Sequence, residues 1–158
     1  MQESFTDNKA RWGAVEVLLQ KWLRERREIL VNYALLAARF SESSTAQEEQ
    51  QDTLRELCQL LVDYVSVGHF EVFHELLCEA EAFADGSNKL ASDIIPSIGD
   101  TTEVILGFEE KYALVEPSRG GYTEDLSLLG EILERRFELE DRLIVGLHQT
   151  HARAASNS

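Results

Sequence analysis

The sequence predicts an all-α protein, an antiparallel up-down-up-down bundle of four long helices. Apolar residues recur at steps of three, four and seven along four long segments, which is the spacing of one face of an α-helix. The connections between these segments are short, and short connections favour antiparallel neighbours. Only two prolines occur among 158 residues, and no segment shows the strict alternation typical of a strand.

The first helix is expected to run from Asn8 to Phe40, where the apolar residues fall at helical spacing. These residues are Trp12, Val15, Leu19, Trp22, Ile29, Tyr33, Leu36 and Phe40. The polar stretch SESSTAQ, Ser41 to Gln47, follows it. Its serine and threonine residues are good helix caps, so we expect a loop there.

The second helix is expected from about Glu48 to Ala84, with Gly68 inside its apolar stripe. The stripe is Leu54, Leu57, Leu61, Val65, Gly68, Val72, Leu76, Ala80 and Phe83. Glycine costs about 1 kcal/mol relative to alanine within a helix, so Gly68 is expected either to kink one long helix or to accompany a break. In the second case Ser66 would cap the second piece. A glycine in the stripe would also let a neighbouring helix come close.

The third and fourth helices are marked by their boundaries. Gly86 is a plausible end for the previous helix, and Ser87 an N-cap for the next. The third stripe is Leu90, Ile94, Ile98, Ile105, Phe108 and Tyr112, and the fourth is Leu126, Leu129, Leu133, Phe137, Ile144 and Leu147. Pro96 is expected to kink the third helix or shorten its first turns. EPSRGGYT, Glu116 to Thr123, is the clearest turn.

The length of the chain is typical of one domain, which we place at residues 1–151, with a frayed polar tail at 152–158. No apolar run approaches the ~18 residues of a membrane span, and the first residues lack the features of a signal peptide. A cytoplasmic protein is expected. Cys58 and Cys78 would lie about 30 Å apart on one helix, too far for a mutual disulfide, so both are expected to be reduced.

The charge of the chain is strongly negative, because 29 acidic residues face 15 basic ones and the net charge is −14. Such a surface repels phosphate backbones, so direct binding of nucleic acid is not expected. It attracts basic partners and accelerates their encounter. Acidity can also serve solubility alone, so charge by itself does not identify a partner.

The stretch LVDYVSVGHFEVF, Leu61 to Phe73, carries the candidate interaction site. When Leu61 and Val65 face the core, Asp63 points away from it, and Phe70 lies seven residues on, nearly on the same face. An aromatic residue and aliphatic residues beside an acid are typical of a protein-binding patch. The candidate partner-binding residues are Gln59, Asp63, Tyr64, Ser66, Val67, His69, Phe70 and His74. A homodimer that covers Phe70 is an alternative.

Catalytic and metal motifs are sparse. Glu71 and His74 form one ExxH, whereas a di-iron bundle needs two such motifs and two more glutamates. We therefore expect no metal and no cofactor. The sequence has no phosphate-binding loop and no nucleophile elbow. Cys58 lies near the buried stripe without a neighbouring base, and is expected to be an inert core thiol. A non-enzymatic protein is expected.

Two charges occupy inward positions, Arg26 in the first helix and Glu140 in the fourth. Buried charges need partners, and these two could pair across the bundle as a structural ion pair. The alternative is a helical-bundle enzyme or small-anion-binding protein in which Arg26, Glu140 and His69 surround an internal pocket. Trp22 and Tyr33 are expected to support the core.

Three segments together resemble the Rsd/AlgQ family of bacterial anti-sigma factors. They are CQLLVDYVSVGHFEVF (Cys58 to Phe73), KWLRERREILVNY (Lys21 to Tyr33) and LGEILERRFELEDRLI (Leu129 to Ile144). The segments occur in order, at family spacing, over most of the chain. The first is the most specific. Departures are Val67 for a usual alanine, Phe73 for a usual tyrosine, and AARFSESSTAQ without the glycine and proline of some relatives.

The resemblance implies a helical bundle that binds the C-terminal domain of the primary sigma factor. That domain reads the −35 promoter element by a helix-turn-helix, and binding would sequester the sigma factor from RNA polymerase. Asp63 would contact a basic residue of the sigma factor, and Phe70 and Val67 would be apolar anchors. A monomer is expected. Some relatives have other protein partners, including a sugar-transport phosphocarrier. The resemblance assigns no particular residue of this chain to such a partner.

Overall fold

A computed structural model of the chain describes residues 2–39, 47–67, 71–83, 85–113, 121–149 and 151–152. Its elements are α1 (Gln2–Arg39), α2 (Gln47–Val67), α3 (Phe73–Phe83), α4 (Asn88–Tyr112), α5 (Tyr122–Leu143) and a π-helical segment (Ile144–Gln149) that continues α5. The all-α prediction is confirmed, since every regular element in these ranges is helical. The four-helix architecture is not confirmed, because these ranges contain five α-helices.

The extra helix comes from the second predicted segment. One helix from Glu48 to Ala84 was expected, and the structure has α2 and α3 in its place. The helix α2 ends at Val67, past Ser66, and residues 71–72, directly before α3, are π-helical. Residues 68–70 lie outside the described residues, so the kink or break expected at Gly68 stays a prediction from the sequence.

The other helix boundaries are close to the predicted ones. The helix α1 begins at Gln2 rather than Asn8. Gly86 has a φ of +85°, a left-handed conformation that glycine adopts easily, and α4 follows it as expected. Ser87 occupies the N-cap position of α4, but its side chain makes no capping hydrogen bond. Its backbone N–H donates instead to Asp85 Oδ1 at 3.1 Å.

Proline and glycine have different effects around α4 and α5. The helix α4 begins at Asn88 and continues through Pro96, so the proline does not shorten it but removes one backbone donor. The turn predicted over 116–123 lies largely outside the described residues. At its end, Gly121 has a φ of +101° and stands at the N-cap of α5.

The helices pack around one core. The helix α1 packs on α2 and α3, α2 packs also on α4, and α4 packs on α5, while α3 contacts the π-helical segment. Within the described ranges, α1 and α5 make few or no close backbone contacts. The predicted core role of Trp22 is confirmed, because its side chain is fully buried. None of the helices in these ranges is both long and apolar enough to cross a bilayer.

Tyr33 connects α1 to α5 at one of the few places where the two helices meet. Its hydroxyl donates to the Leu126 carbonyl at 2.9 Å. The ring lies over Gly130, where an added Cβ would be 2.2 Å from the tyrosine oxygen. Gly130 therefore leaves the space that this hydrogen bond needs.

We predict that Gly130→Ala is less stable than the matched variant Gly107→Ala by roughly 1–3 kcal/mol, the usual cost of overpacking. Both glycines lie inside helices, and a Cβ at Gly107 meets nothing within 4 Å. Each alanine gains similar helix propensity, so the difference reports the clash with Tyr33. Urea unfolding of the two variants measures it, and equal free energies of unfolding would contradict it.

Candidate protein-binding site and its polar core

Asp63 lies on the exposed side of α2, as the helical periodicity predicted. Its Oδ1 accepts a hydrogen bond from Gln59 Nε2, one turn earlier, at 3.1 Å. Gln59, Ser66 and His74 are exposed as well. A carboxylate with one neutral donor keeps its charge and most of its acceptor sites. Asp63 can therefore receive an additional donor from a partner.

Asp63 is one of several acidic residues within electrostatic range of Glu25, which lies in α1. Burial raises the pKa of the Glu25 carboxyl in α1, and Lys21 opposes this. The negative charges of Asp63, Glu28 and Glu71 raise it further. We call Glu25, Glu28, Asp63 and Glu71 the acidic face. The periodicity of α2 alone could not reveal it, because three of its members lie on other segments.

The structure corrects the position of Tyr64, which was expected at the flank of the buried stripe among the contact residues. Its side chain is 0% exposed. The ring stacks on Trp22 with centroids 4.7 Å apart and meets the edge of Phe137 at 5.8 Å. Tyr64 follows Leu61 by three residues, so it lies on the same face of α2. It belongs to the core, one residue away from the exposed Asp63.

The remaining candidates fall at the boundary between α2 and α3. Gly68, His69 and Phe70 lie outside the described residues, and so does the side chain of Val67. Their roles stay predictions from the sequence.

Tyr64 leads into a buried ionic network centred on Glu140. The Glu140 carboxylate accepts from the Tyr64 hydroxyl at 2.5 Å, from Arg26 Nη2 at 3.0 Å and from Arg136 Nε at 2.8 Å. The predicted pair between Arg26 and Glu140 is thus confirmed. Arg26 also donates to the exposed Asp141 at 2.7 Å.

The burial of this network determines its protonation. Burial raises the pKa of Glu140, but Arg136 and Arg26 both oppose this by favouring the carboxylate. Burial and the charge of Glu140 raise the pKa of Tyr64 well above its ordinary value, so its hydroxyl stays a donor. Two guanidinium groups thus face two carboxylates, Glu140 and Asp141.

Arg136 is the member of the network that the sequence reasoning missed. It is 0% exposed, and its Nη1 donates to Thr101 Oγ1 at 3.1 Å and to Thr102 Oγ1 at 2.6 Å. It therefore joins α5 to α4. The available signal was its position four residues before Glu140 in the sequence LERRFELE, the spacing of a helical ion pair.

The geometry favours a structural role for the network. The three donors from Arg26, Tyr64 and Arg136 all converge on the carboxylate of Glu140, which leaves it little capacity for a ligand. The alternative pocket also required His69, which lies outside the described residues.

A second polar cluster lies where α3 meets the π-helical segment. The buried His148 has Nδ1 2.9 Å from Glu79 Oε1 and Nε2 2.6 Å from Glu16 Oε2. A carboxylate against each ring nitrogen favours the imidazolium form of His148, in which both nitrogens donate. Its ring stacks on Trp12, whose Nε1 donates to the His148 carbonyl at 2.9 Å.

His151 extends this cluster. Its Nε2 is 2.7 Å from Asp85 Oδ2, and its ring stacks on Phe83 with centroids 4.1 Å apart. The two histidines stand three residues apart in the sequence. Glu79 and Glu16, the acids that surround His148, come from distant segments, so spacing could not find them.

A strongly acidic chain whose described elements are helical, with an exposed carboxylate beside a closed ionic core, has the features of a protein-binding regulator. Residues 1–148 match the model of the family described as regulator of RNA polymerase sigma(70) subunit, Rsd/AlgQ. The chain belongs to this family, which confirms the resemblance seen in the sequence. The family is regulatory, and the chain is a regulator of a sigma factor.

Relatives named "Regulator of sigma D" share this similarity. The protein of Yersinia pseudotuberculosis serotype O:1b is 33% identical over 137 residues, covering 85% of this chain and 81% of the relative. That of Yersinia enterocolitica serotype O:8 is 31% identical over 137 residues, covering 85% and 82%. That of Salmonella paratyphi A is 33% identical over 138 residues, covering 85% and 84%. No solved structure matches the chain.

We predict that Glu140→Gln destabilises the protein by about 3–5 kcal/mol, because it leaves Arg136 as an uncompensated buried charge. The matched control is Asp141→Asn, which removes the exposed partner of Arg26 and should cost less than about 1 kcal/mol. Urea unfolding monitored by circular dichroism gives both values. A loss for Glu140→Gln no larger than that of the control would contradict the prediction.

The charged state of His148 predicts a pH-dependent stability. Burial lowers the pKa of His148, but Glu79 and Glu16 outweigh it, so the folded-state pKa lies above the ordinary value of 6.5. The stabilisation is therefore complete below pH 6.5 and is lost as pH rises through the folded-state pKa. The free energy of unfolding should fall over that window.

His148→Gln should flatten this fall, whereas His74→Gln, at an exposed histidine, should leave it unchanged. Urea unfolding between pH 6 and 9 tests the pair of variants. The prediction fails when His148→Gln keeps the pH dependence of the unaltered protein.

Proposed function

We propose that the chain binds the C-terminal, −35-reading domain of the primary sigma factor and sequesters it from RNA polymerase. The observation that carries this proposal is the exposed Asp63 within the acidic face on α1, α2 and Glu71. Membership of a family of sigma factor regulators supplies the class of partner. In this proposal the chain acts in the cytoplasm as a monomer.

Electrostatics explain how such binding would regulate transcription. A helix-turn-helix domain reaches DNA with basic side chains that neutralise phosphates. Acidic residues that face the same side chains would compete with the promoter for them. The opposite charges would also accelerate the encounter. Asp63 supplies a directed charge, and the apolar residues Val67 and Phe70 would add contact area.

The buried network would serve this site indirectly. Tyr64 is held by Trp22, Phe137 and Glu140, so the turn of α2 that carries Asp63 is fixed to the core. A contact residue on a fixed helix loses little conformational freedom upon binding. Tyr64 is thus a positioning residue in this proposal.

We predict that Asp63→Lys and Phe70→Ala each weaken binding to the isolated sigma C-terminal domain and leave the helical content intact. Removing a charge partner costs about 2–5 kcal/mol in a buried interface and much less at its rim. The matched control is Glu103→Lys, the same charge change at an exposed residue of α4. Isothermal titration calorimetry compares the affinities of the unaltered chain and the three variants for this domain.

Unchanged affinity for both Asp63→Lys and Phe70→Ala would remove this face from the proposal. An equal loss for Glu103→Lys would show that total charge, rather than the acidic face, controls binding. Sedimentation at the working concentration tests the monomer, since a dimer would favour the alternative in which Phe70 is covered by a second copy.

A further inference from the structure

An open groove with a volume of about 870 Å³ lies between α1 and α5. One wall is α5 with the π-helical segment, from Gly130 to Gly146, and the other includes Leu30 and Tyr33 of α1. The lining positions on α5 follow each other at helical steps. The groove therefore runs along the axis of α5.

Polar side chains connect the two walls. Arg26 of α1 reaches Glu140 and Asp141, and the Tyr33 hydroxyl reaches the Leu126 carbonyl. These hydrogen bonds fix the position of α1 relative to α5. A partner would therefore bind to walls that need little rearrangement.

The shape of the groove suits a helix. The 17 residues from Gly130 to Gly146 span roughly 24 Å at the rise of an α-helix, about four turns. Leu30 and Val145 are 46% and 53% exposed and contribute apolar surface, while Leu133 and Phe137 line the groove as buried core residues. A long apolar groove of this kind is how proteins bind the apolar face of an amphipathic helix.

The charges of the groove select the occupant. Among the described lining residues, Glu134, Glu138 and Asp141 are acidic and Arg142 is basic. Asp141 is already paired with Arg26 at 2.7 Å. Glu138 and Arg142 are paired at 3.4 Å but both exposed, so the pair is weak and the carboxylate can accept further donors. With a net charge of −14 on each chain, a second copy is repelled, whereas a cationic segment is attracted.

We propose that this groove is a second docking surface, which binds a cationic amphipathic helix of a partner protein. The described members of the candidate sigma-binding site, among them Asp63, do not line it. The proposal is therefore independent of the proposed function. It gives the chain a surface on which a basic helix binds by its apolar face while its positive charges meet the acidic rim.

The test uses a fluorescein-labelled 18-residue peptide of leucine and lysine with helical spacing, titrated with the full chain in 150 mM salt. Fluorescence anisotropy measures affinity. A peptide of the same composition with leucine and lysine in strict alternation is the control for charge alone. We expect saturable binding of the helical peptide, and binding of the alternating peptide weaker by roughly tenfold or more.

Two pairs of variants locate the binding. Leu30→Gln should weaken binding roughly tenfold, while Val31→Gln, an exposed neighbour outside the groove, should leave it unchanged. The double variant Glu134→Gln and Glu138→Gln should weaken it, and the matched double variant Glu103→Gln and Glu110→Gln on α4 should not. Circular dichroism verifies that every variant is folded.

Several outcomes would overturn the proposal. One is that the helical peptide does not bind, and another is that groove and control variants weaken it equally, which would indicate unspecific charge attraction. A loss on Asp63→Lys that groove variants do not reproduce would assign the peptide to the acidic face. Sedimentation that shows a dimer dissociated by Leu30→Gln would make the groove a self-interface instead.

Discussion

The fold depends on the neutralisation of one buried carboxylate. Glu140 meets Arg26 of α1, Tyr64 of α2 and Arg136 of its own helix, and Arg136 continues to Thr101 and Thr102 of α4. Four of the five helices are thus joined at one point. Ionic groups in a core are costly unless every partner is present, so this site requires all four helices in one relative arrangement. Apolar packing alone would place a weaker constraint on the relative arrangement of these helices.

The sequence predicted the helices better than it predicted their connection. Periodicity identified the core positions of α1, α4 and α5, because each stripe is continuous along one helix. It placed Tyr64 at the flank of the stripe among the candidate contacts, since an aromatic hydroxyl at the edge of a stripe can face either way. The contact to Glu140 that holds Tyr64 inside comes from a residue 76 positions later, and no local pattern contains it.

The polar residues show the same limit. The pair of Arg26 and Glu140 was predictable, because each fills an apolar position of its stripe. Arg136 stands in a charged run beside the exposed Arg135, and spacing alone does not separate the two. Glu79 and His148 are both buried and lie 2.9 Å apart, although they are 69 positions apart in the chain. The surface positions were simpler: Asp63 is exposed because the helical period alone decides it. The acidic face around it is tertiary and required the structure.

The π-helical segment after α5 has a consequence for the length of the chain. In a π-helix each turn holds about one residue more than in an α-helix, and this wider turn carries Leu147 and His148 into the interior together. The wider turns therefore hold one residue more than an α-helix would hold over the same rotation, so the residues before and after the segment keep their relative facing. Homologous chains with one residue fewer between Leu143 and His151 should have an ordinary α-helix here and keep the same packing on both sides of it.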